Sequence, residues 1–172
     1  LCQPNFGYIT NFGKAHIEGF GGVEGVIKGK SELYTFLEEN HQLAFINPED
    51  PIQVAKTLNI NTLSFDADLK FIDANPFVKL SFDSHHIQSK LIGAYNYTNI
   101  AIACTIGRYF NVTDTQIKSA IESYTPDNNR SQIILKGSNK IILDAYNANP
   151  TSVKAALDNF DTIDAKHKTV IL

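Results

Sequence analysis

The segment Gly25-Val-Ile-Lys-Gly-Lys-Ser31 ends in the Gly-Lys-Ser of a phosphate-binding loop. Such a loop needs a glycine, four residues and then Gly-Lys-Ser/Thr, so that successive backbone N–H groups curl around phosphate oxygens as a helix opens at the lysine. Here Glu24 stands where that first glycine belongs, and Gly25 comes one position too late. The flanks disagree as well. Val23, Val26, Ile27, Leu33, Phe36 and Leu37 recur at helical spacing on both sides of Lys30, where a phosphate loop has a strand before it. Lys30 is therefore predicted to sit in mid-helix, and its chemistry must be something other than that of a P-loop cation.

Upstream, His16 opens a glycine-rich stretch that can bring backbone close to a ligand. Gly19, Gly21 and Gly25 do not form G-x-G-x-x-G and no strand runs straight into them, so a dinucleotide fingerprint is excluded. Taken alone, His16 reads as a hydrogen-bonded structural histidine. Asp144-Ala-Tyr-Asn-Ala-Asn-Pro150 lies where a strand gives way to a helix, the carboxyl edge at which open α/β sheets place ligands. Asp144 there can accept from ribose hydroxyls or simply be loop polarity; Asn149 is expected to cap a helix opened by Pro150. Asn96 and Asn99 lie one turn apart at a helix start, where capping is the first reading and amide contacts to a purine edge the second. Arg130 stands alone in a turn-rich loop and reads as solvated.

The elements that must position these residues alternate. Tyr8 to Thr10 ends a strand, a helix runs over about residues 23 to 39 and stops near Asn40, and Gln42 to Asn47 is a strand. Pro48 is expected to open a helix through about Leu58. Thr62 to Phe65, Phe71 to Asp73, Phe77 to Phe82 and His86 to Leu91 suggest an antiparallel patch. Helices follow over Asn96 to Phe110 and Thr113 to Ser123, with Thr113 or Asp114 as the cap. The polar stretch Thr125 to Ser131 reads as a domain boundary. Beyond it come strands at Ile133 to Leu135 and Lys140 to Asp144, a helix from Pro150 to Phe160 and a strand from Thr169 to Leu172, which make a parallel β-α-β unit. The fold class is α/β, divided at 1–128 and 129–172.

With 172 residues, 43% hydrophobic and 19% charged, the chain can bury one good core or two small ones. A net charge of -3 and scattered lysines exclude a nucleic-acid footprint. No apolar run approaches the roughly 20 residues that cross a bilayer, and a cytoplasmic location is expected. The two cysteines, Cys2 and Cys104, match no metal or redox pattern and read as reduced structural thiols. The absence of any Met, with an apolar run at the very end, predicts a piece of a longer polypeptide.

In order along the chain, Thr10-Asn-Phe-Gly-Lys-Ala-His-Ile-Glu-Gly-Phe-Gly, Gly25-Val-Ile-Lys-Gly-Lys, Tyr95-Asn-Tyr-Thr-Asn, Arg130 and Asp144-Ala-Tyr-Asn-Ala-Asn-Pro resemble the Mur ligase family. The resemblance implies the later half of a central ATP-binding domain followed by the start of a Rossmann-like C-terminal domain. It implies a cytoplasmic enzyme of peptidoglycan synthesis that uses ATP and Mg²⁺. AHIEGFG and YNANP are most similar to the members that join D-alanyl-D-alanine to UDP-N-acetylmuramoyl-tripeptide through an acyl phosphate. Another Mur ligase, a folylpolyglutamate-type ligase and a non-catalytic Mur-like binding module are the alternatives.

Residue by residue, the resemblance casts Lys30 as a lysine carbamylated by CO₂ and bridging metal, and His16 as a metal ligand. Asn96 and Asn99 fall on the adenine side, Arg130 on ATP, Asp144 on the ribose and Asn11 on the substrate side. Tyr95 stands where many relatives have His. The family's phosphate loop, its metal-binding glutamate and its UDP-sugar domain belong before residue 1, so the isolated piece is expected to be inactive and to bind ATP weakly or not at all. Exposed sheet edges are expected to let it pair with a second copy.

Overall fold

The computed structural model describes residues 2–14, 17–127, 129–146 and 148–171. A parallel sheet runs in the order β1 (Phe6–Gly7), β2 (Leu43–Ile46), β3 (Asn61–Ser64). Helices α1 (Ile17–Phe20) and α2 (Val23–Glu39) connect β1 to β2, and α3 (Pro51–Lys56) connects β2 to β3. Parallel neighbours require crossovers of this kind. Strand β2, Leu-Ala-Phe-Ile, is almost continuously buried, as a strand covered on both faces must be. Helix α2 buries Val26, Tyr34 and Leu37, the last two in one cluster with Ile9, Phe12, Ala44 and Ile46.

The glycine-rich stretch folds α1 back onto α2. Gly21 and Gly22 have φ of 69° and 119°, and a Cβ on Gly25 would lie 1.7 Å from the Phe20 carbonyl oxygen. The close backbone approach is thus made to Phe20.

Several expectations are corrected in this layer. The first strand is Phe6–Gly7 and stops before Tyr8, because the Ile9 carbonyl accepts from Gln53 Nε2 at 3.0 Å and has left the ladder. Helix α3 opens at Pro51 and ends at Lys56; Pro48 lies in the preceding turn. Asp50 provides the cap, its Oδ1 accepting from the Ile52 and Gln53 N–H groups at 2.9 and 3.2 Å. The run near Thr62 joins the parallel sheet as β3, placed there by its helical crossover, and takes no part in the antiparallel patch.

That antiparallel sheet consists of β4 (Lys70–Ala74), β5 (Phe77–Phe82) and β6 (His85–Ile92). Along β5, fully buried Val78, Leu80 and Phe82 alternate with half-buried Phe77, Lys79 and Ser81, the period-2 pattern of a sheet with one covered face. The cover is α4 (Asn96–Tyr109) and α5 (Asp114–Ser123), which bring Ile100, Ala101, Cys104 and Ile117 into the cluster. Thr113 caps α5 in a reciprocal box with Gln116. Cys104 is an inert core thiol, pushed up to about 12 by burial. Tyr109 meets Phe45 edge to face at 5.4 Å and so ties α4 to the parallel sheet.

The remaining described residues form a hairpin, β7 (Gln132–Lys136) and β8 (Asn139–Leu143), and then α6 (Pro150–Thr162). Asn149 caps α6, accepting from the Thr151 and Ser152 N–H groups at 3.1 and 3.0 Å, with Pro150 in the first turn as expected. The final parallel strand is not seen in residues 169–171, and Leu172 lies outside the described residues. A strand needs a partner ladder; Val170 and Ile171 are instead exposed. No described helix is long and apolar enough to cross a membrane.

Arg108, near the end of α4, binds the antiparallel layer together. Its Nε and Nη2 hold the Asp114 carboxylate at 2.9 and 2.8 Å, while Nη1 reaches Asp66 and Asp68 at 3.2 and 3.0 Å. The guanidinium lies 3.9 Å over the Phe82 ring. The hydrogen bonds from Arg108 hold the Asp114 carboxyl below its ordinary 3.8, with help from the Arg108 and His85 charges. A depressed carboxylate stabilises the fold above its unfolded value, and that contribution is lost as pH falls through the folded value. Arg108→Met leaves three carboxylates facing one another. It should cost about 1–3 kcal/mol at neutral pH, by the loss of charge-assisted hydrogen bonds. The deficit should shrink once the pH drops below 3.8. Urea denaturation at neutral and acid pH measures this; an equal deficit at both would contradict it.

Candidate functional site

Lys30 lies within α2 as predicted. Val26, Lys30, Tyr34 and Leu37 follow one another at four, four and three residues, so the lysine shares the stripe whose other members are 1%, 1% and 0% exposed. It is half-buried, and its amine lies beside the loop that follows β1. There Nζ donates to the Asn11 carbonyl oxygen at 2.7 Å and lies 3.4 Å from Asn11 Oδ1. Burial lowers the Lys30 pKa from 10.5, favouring the neutral amine. No carboxylate is paired with it among the described residues.

The loop carrying Asn11 is anchored from beneath. Gln53 is fully buried, donates to Ile9 O and Asp50 Oδ2, and accepts from the Asn47 N–H at 2.8 Å. Asn11 Oδ1 in turn accepts from the Gly13 N–H at 2.9 Å, closing a short turn. A Cβ on Gly13 would come within 3.9 Å of Thr151 Cγ2, so the start of α6 sits beside this loop. The structure thus brings together Lys30 and Asn11. His16, the third residue expected here, lies outside the described residues.

A second group forms where α4 begins. Tyr95 occupies the cap position without making a side-chain cap, so the capping reading of Asn96 and Asn99 is corrected. Asn96 is already helical and buried. Its Nδ2 donates to Ile92 O at 2.8 Å and its Oδ1 accepts from Asn99 Nδ2 at 3.0 Å, which orients the exposed Asn99. The Tyr95 hydroxyl meets Ser131 Oγ at 2.9 Å, and the Ser131 N–H donates to Asp144 Oδ1 at 3.3 Å. Arg130, read as solvated, is exposed and lies 4.1 Å over the Tyr146 ring. Asn96 and Asn99 thus contact each other, Asp144 contacts Ser131 and through it Tyr95, and Arg130 contacts Tyr146, so three segments of the sequence are gathered at the start of α4. Arg130 and Asp144 remain exposed, available to a ligand.

Sequence reasoning did not identify Gln53, Ser131 or Tyr146 as parts of these groups. Gln53 carries a signal, a polar residue on the covered side of a short helix. Ser131 sits among turn formers and has none.

The Mur ligase middle domain profile matches residues 1–107. The chain is 27% identical, over its whole length, to the UDP-N-acetylmuramoyl-tripeptide–D-alanyl-D-alanine ligase of Bacillus subtilis, covering 39% of it. With the ligase of the same name from Haemophilus influenzae it shares 30% identity, over 96% of this chain and 38% of the relative. The fold matches MurF ligase from Thermotoga maritima in complex with ADP, with a TM-score of 0.76, 24% identity, and coverage of 91% of this chain and 39% of that one. The chain thus spans well under half the length of these relatives. A profile match over most of its residues makes the chain a member of the Mur ligase family.

Proposed function

We propose that this chain supplies the lysine, the substrate-side asparagine and the adenosine-binding groups of an ATP-dependent ligase that joins D-alanyl-D-alanine to UDP-N-acetylmuramoyl-tripeptide. Residues 1–128 belong to its central domain, and 129–172 begin a Rossmann-like C-terminal domain. The observation that carries this reading is the Lys30 amine, on the helical stripe of Val26, Tyr34 and Leu37, beside Asn11, without a carboxylate partner among the described residues and with its pKa lowered by burial. Support also comes from the relatives, whose names state this activity, and from the ADP in the similar fold.

A neutral amine can add its lone pair to CO₂ and release a proton, becoming a carbamate. Lys30 then presents two oxygens and a negative charge. Mg²⁺ prefers oxygen ligands, so the ion fits this position once Lys30 is a carbamate and does not fit it beside an ammonium. Carbamylated Lys30, with His16, would hold the ion. When bound, Mg²⁺ supplies positive charge for the ATP phosphates and for the substrate carboxylate as it becomes an acyl phosphate. The carboxylate takes the γ-phosphoryl group as ADP leaves. The dipeptide amine then attacks the acyl carbon, and the amide forms as the bond to phosphate breaks, releasing inorganic phosphate and a proton. Asn11, beside Lys30, orients the tripeptide end that carries the carboxylate.

On the nucleotide side, Asn99 offers its amide to the adenine edge, with Asn96 holding it from below. Asp144 accepts from the ribose, and Arg130, braced on Tyr146, contacts ATP. Arg130 is always cationic.

Two results check this reading. Trace labelling of Lys30 with acetic anhydride over an alkaline pH series should give a titration midpoint below 10.5. A midpoint at or above that value would mean that the site does not favour the neutral amine. In the full-length polypeptide that carries this segment, phosphate release should require both D-alanyl-D-alanine and the UDP-linked tripeptide. Lys30→Ala should lower kcat by about 10²–10³, the loss seen when one group stabilising transition-state charge is removed. Activity within a few-fold of the parent would contradict the role given to Lys30.

A further inference from the structure

The segment around Arg130 is laid along the residues that follow β8. The Ala145 N–H donates to Asn129 O at 2.9 Å, the Ser131 N–H donates to Asp144 Oδ1 at 3.3 Å, and Arg130 covers the Tyr146 ring. Asn129 and Ser131 both adopt left-handed backbone, with φ of 58° and 49°. That region disfavours residues bearing a Cβ, and such residues persist only where their surroundings over-determine them. Ser131 is 8% exposed and makes three polar contacts with two groups: two with the Asp144 carboxylate and one with the Tyr95 phenol.

The direction of these bonds follows from their chemistry. An ionised carboxylate only accepts. Ser131 Oγ, 3.5 Å from Asp144 Oδ2, therefore turns its proton toward Asp144, and the Tyr95 hydroxyl donates to Ser131 Oγ. Burial pushes the Tyr95 phenol up, and the Asp144 charge adds to that, so Tyr95 stays protonated and able to donate. The chain Tyr95, Ser131, Asp144 crosses from the start of α4 to the end of β8.

We propose that Ser131 is a positioning residue for nucleotide binding, fixing the Asp144 carboxylate and, through Tyr95, locking it in register with the adenine-side asparagines. The inference rests on the reading of Asp144 as the ribose contact. An exposed carboxylate left to sample rotamers loses that freedom when ligand binds; one held in advance does not, and affinity rises accordingly. Ser131 touches no part of the nucleotide in this scheme and acts only through Asp144 and Tyr95.

The test uses the full-length polypeptide, with KM and kcat measured for ATP and for its 2′-deoxy and 3′-deoxy analogues. Asp144→Asn should abolish the preference for ATP over at least one analogue. Ser131→Gly removes the hydroxyl while relieving the left-handed strain, and Tyr95→Phe keeps the ring. Each should raise KM for ATP about three- to tenfold, the effect of one neutral hydrogen bond, and weaken the same preference, with kcat changed less than about twofold. The double variant should be no worse than the poorer single, since both break one chain. If Asp144→Asn abolishes the preference while Ser131→Gly and Tyr95→Phe leave KM and preference intact, the positioning role is overturned and the ribose contact stands. If Asp144→Asn changes neither, the ribose contact fails and the positioning role falls with it.

Discussion

A buried amide holds the first half of the structure in place. Gln53 has no exposed surface, yet both ends of its side chain are satisfied, by Asn47, Ile9 and Asp50. A buried amide left unpaired is costly, so these three partners have little freedom to move independently. Through Ile9 the constraint fixes the loop after β1, and through Asp50 it fixes the start of α3. Asn11 sits two residues beyond Ile9, and its carbonyl is what the Lys30 amine meets. The chemistry assigned to Lys30 therefore depends on a glutamine that never touches it.

Lys30 itself shows how burial can set chemistry without a dedicated partner. A lysine on an exposed helix face stays an ammonium. Placed on the stripe of Val26, Tyr34 and Leu37, its amine loses solvent and its proton becomes easier to remove. The same sequence feature that ruled out a phosphate loop, helical periodicity on both flanks, creates this environment. On the nucleotide side, a different device is used. Hydrogen bonds and one cation-π contact gather residues from α4, the 125–131 segment and the end of β8, with little apolar burial to hold them.

Much of the fold was readable where a long segment obeyed one period. Helices α2, α4 and α5 follow their apolar spacing closely, and Asn149-Pro150 announced α6 by its capping chemistry. Errors fell where the deciding interaction was distant in sequence. The run near Thr62 looked like its antiparallel neighbours because pairing partners are not encoded in a four-residue pattern. Pro48 reads as the opener of α3, whereas the Asp50 cap sets the start at Pro51. The last strand lacked a partner among the described residues. For the site, the stripe containing Lys30 could be read from spacing alone, but its meeting with Asn11 could not. Asn96 looked like a cap and proved to be an internal brace for Asn99. Ser131 was hidden entirely, since its role depends on Tyr95 and Asp144, 36 and 13 residues away.

The most direct measurement of whether Lys30 works as an anion is ¹³C NMR of the full-length polypeptide equilibrated with ¹³C-bicarbonate, beside the Lys30→Ala variant. A carbamate carbon resonance present in the parent and missing from the variant is the predicted result. Identical spectra in the carbamate region would show that the amine does not capture CO₂, and would contradict the central chemical claim.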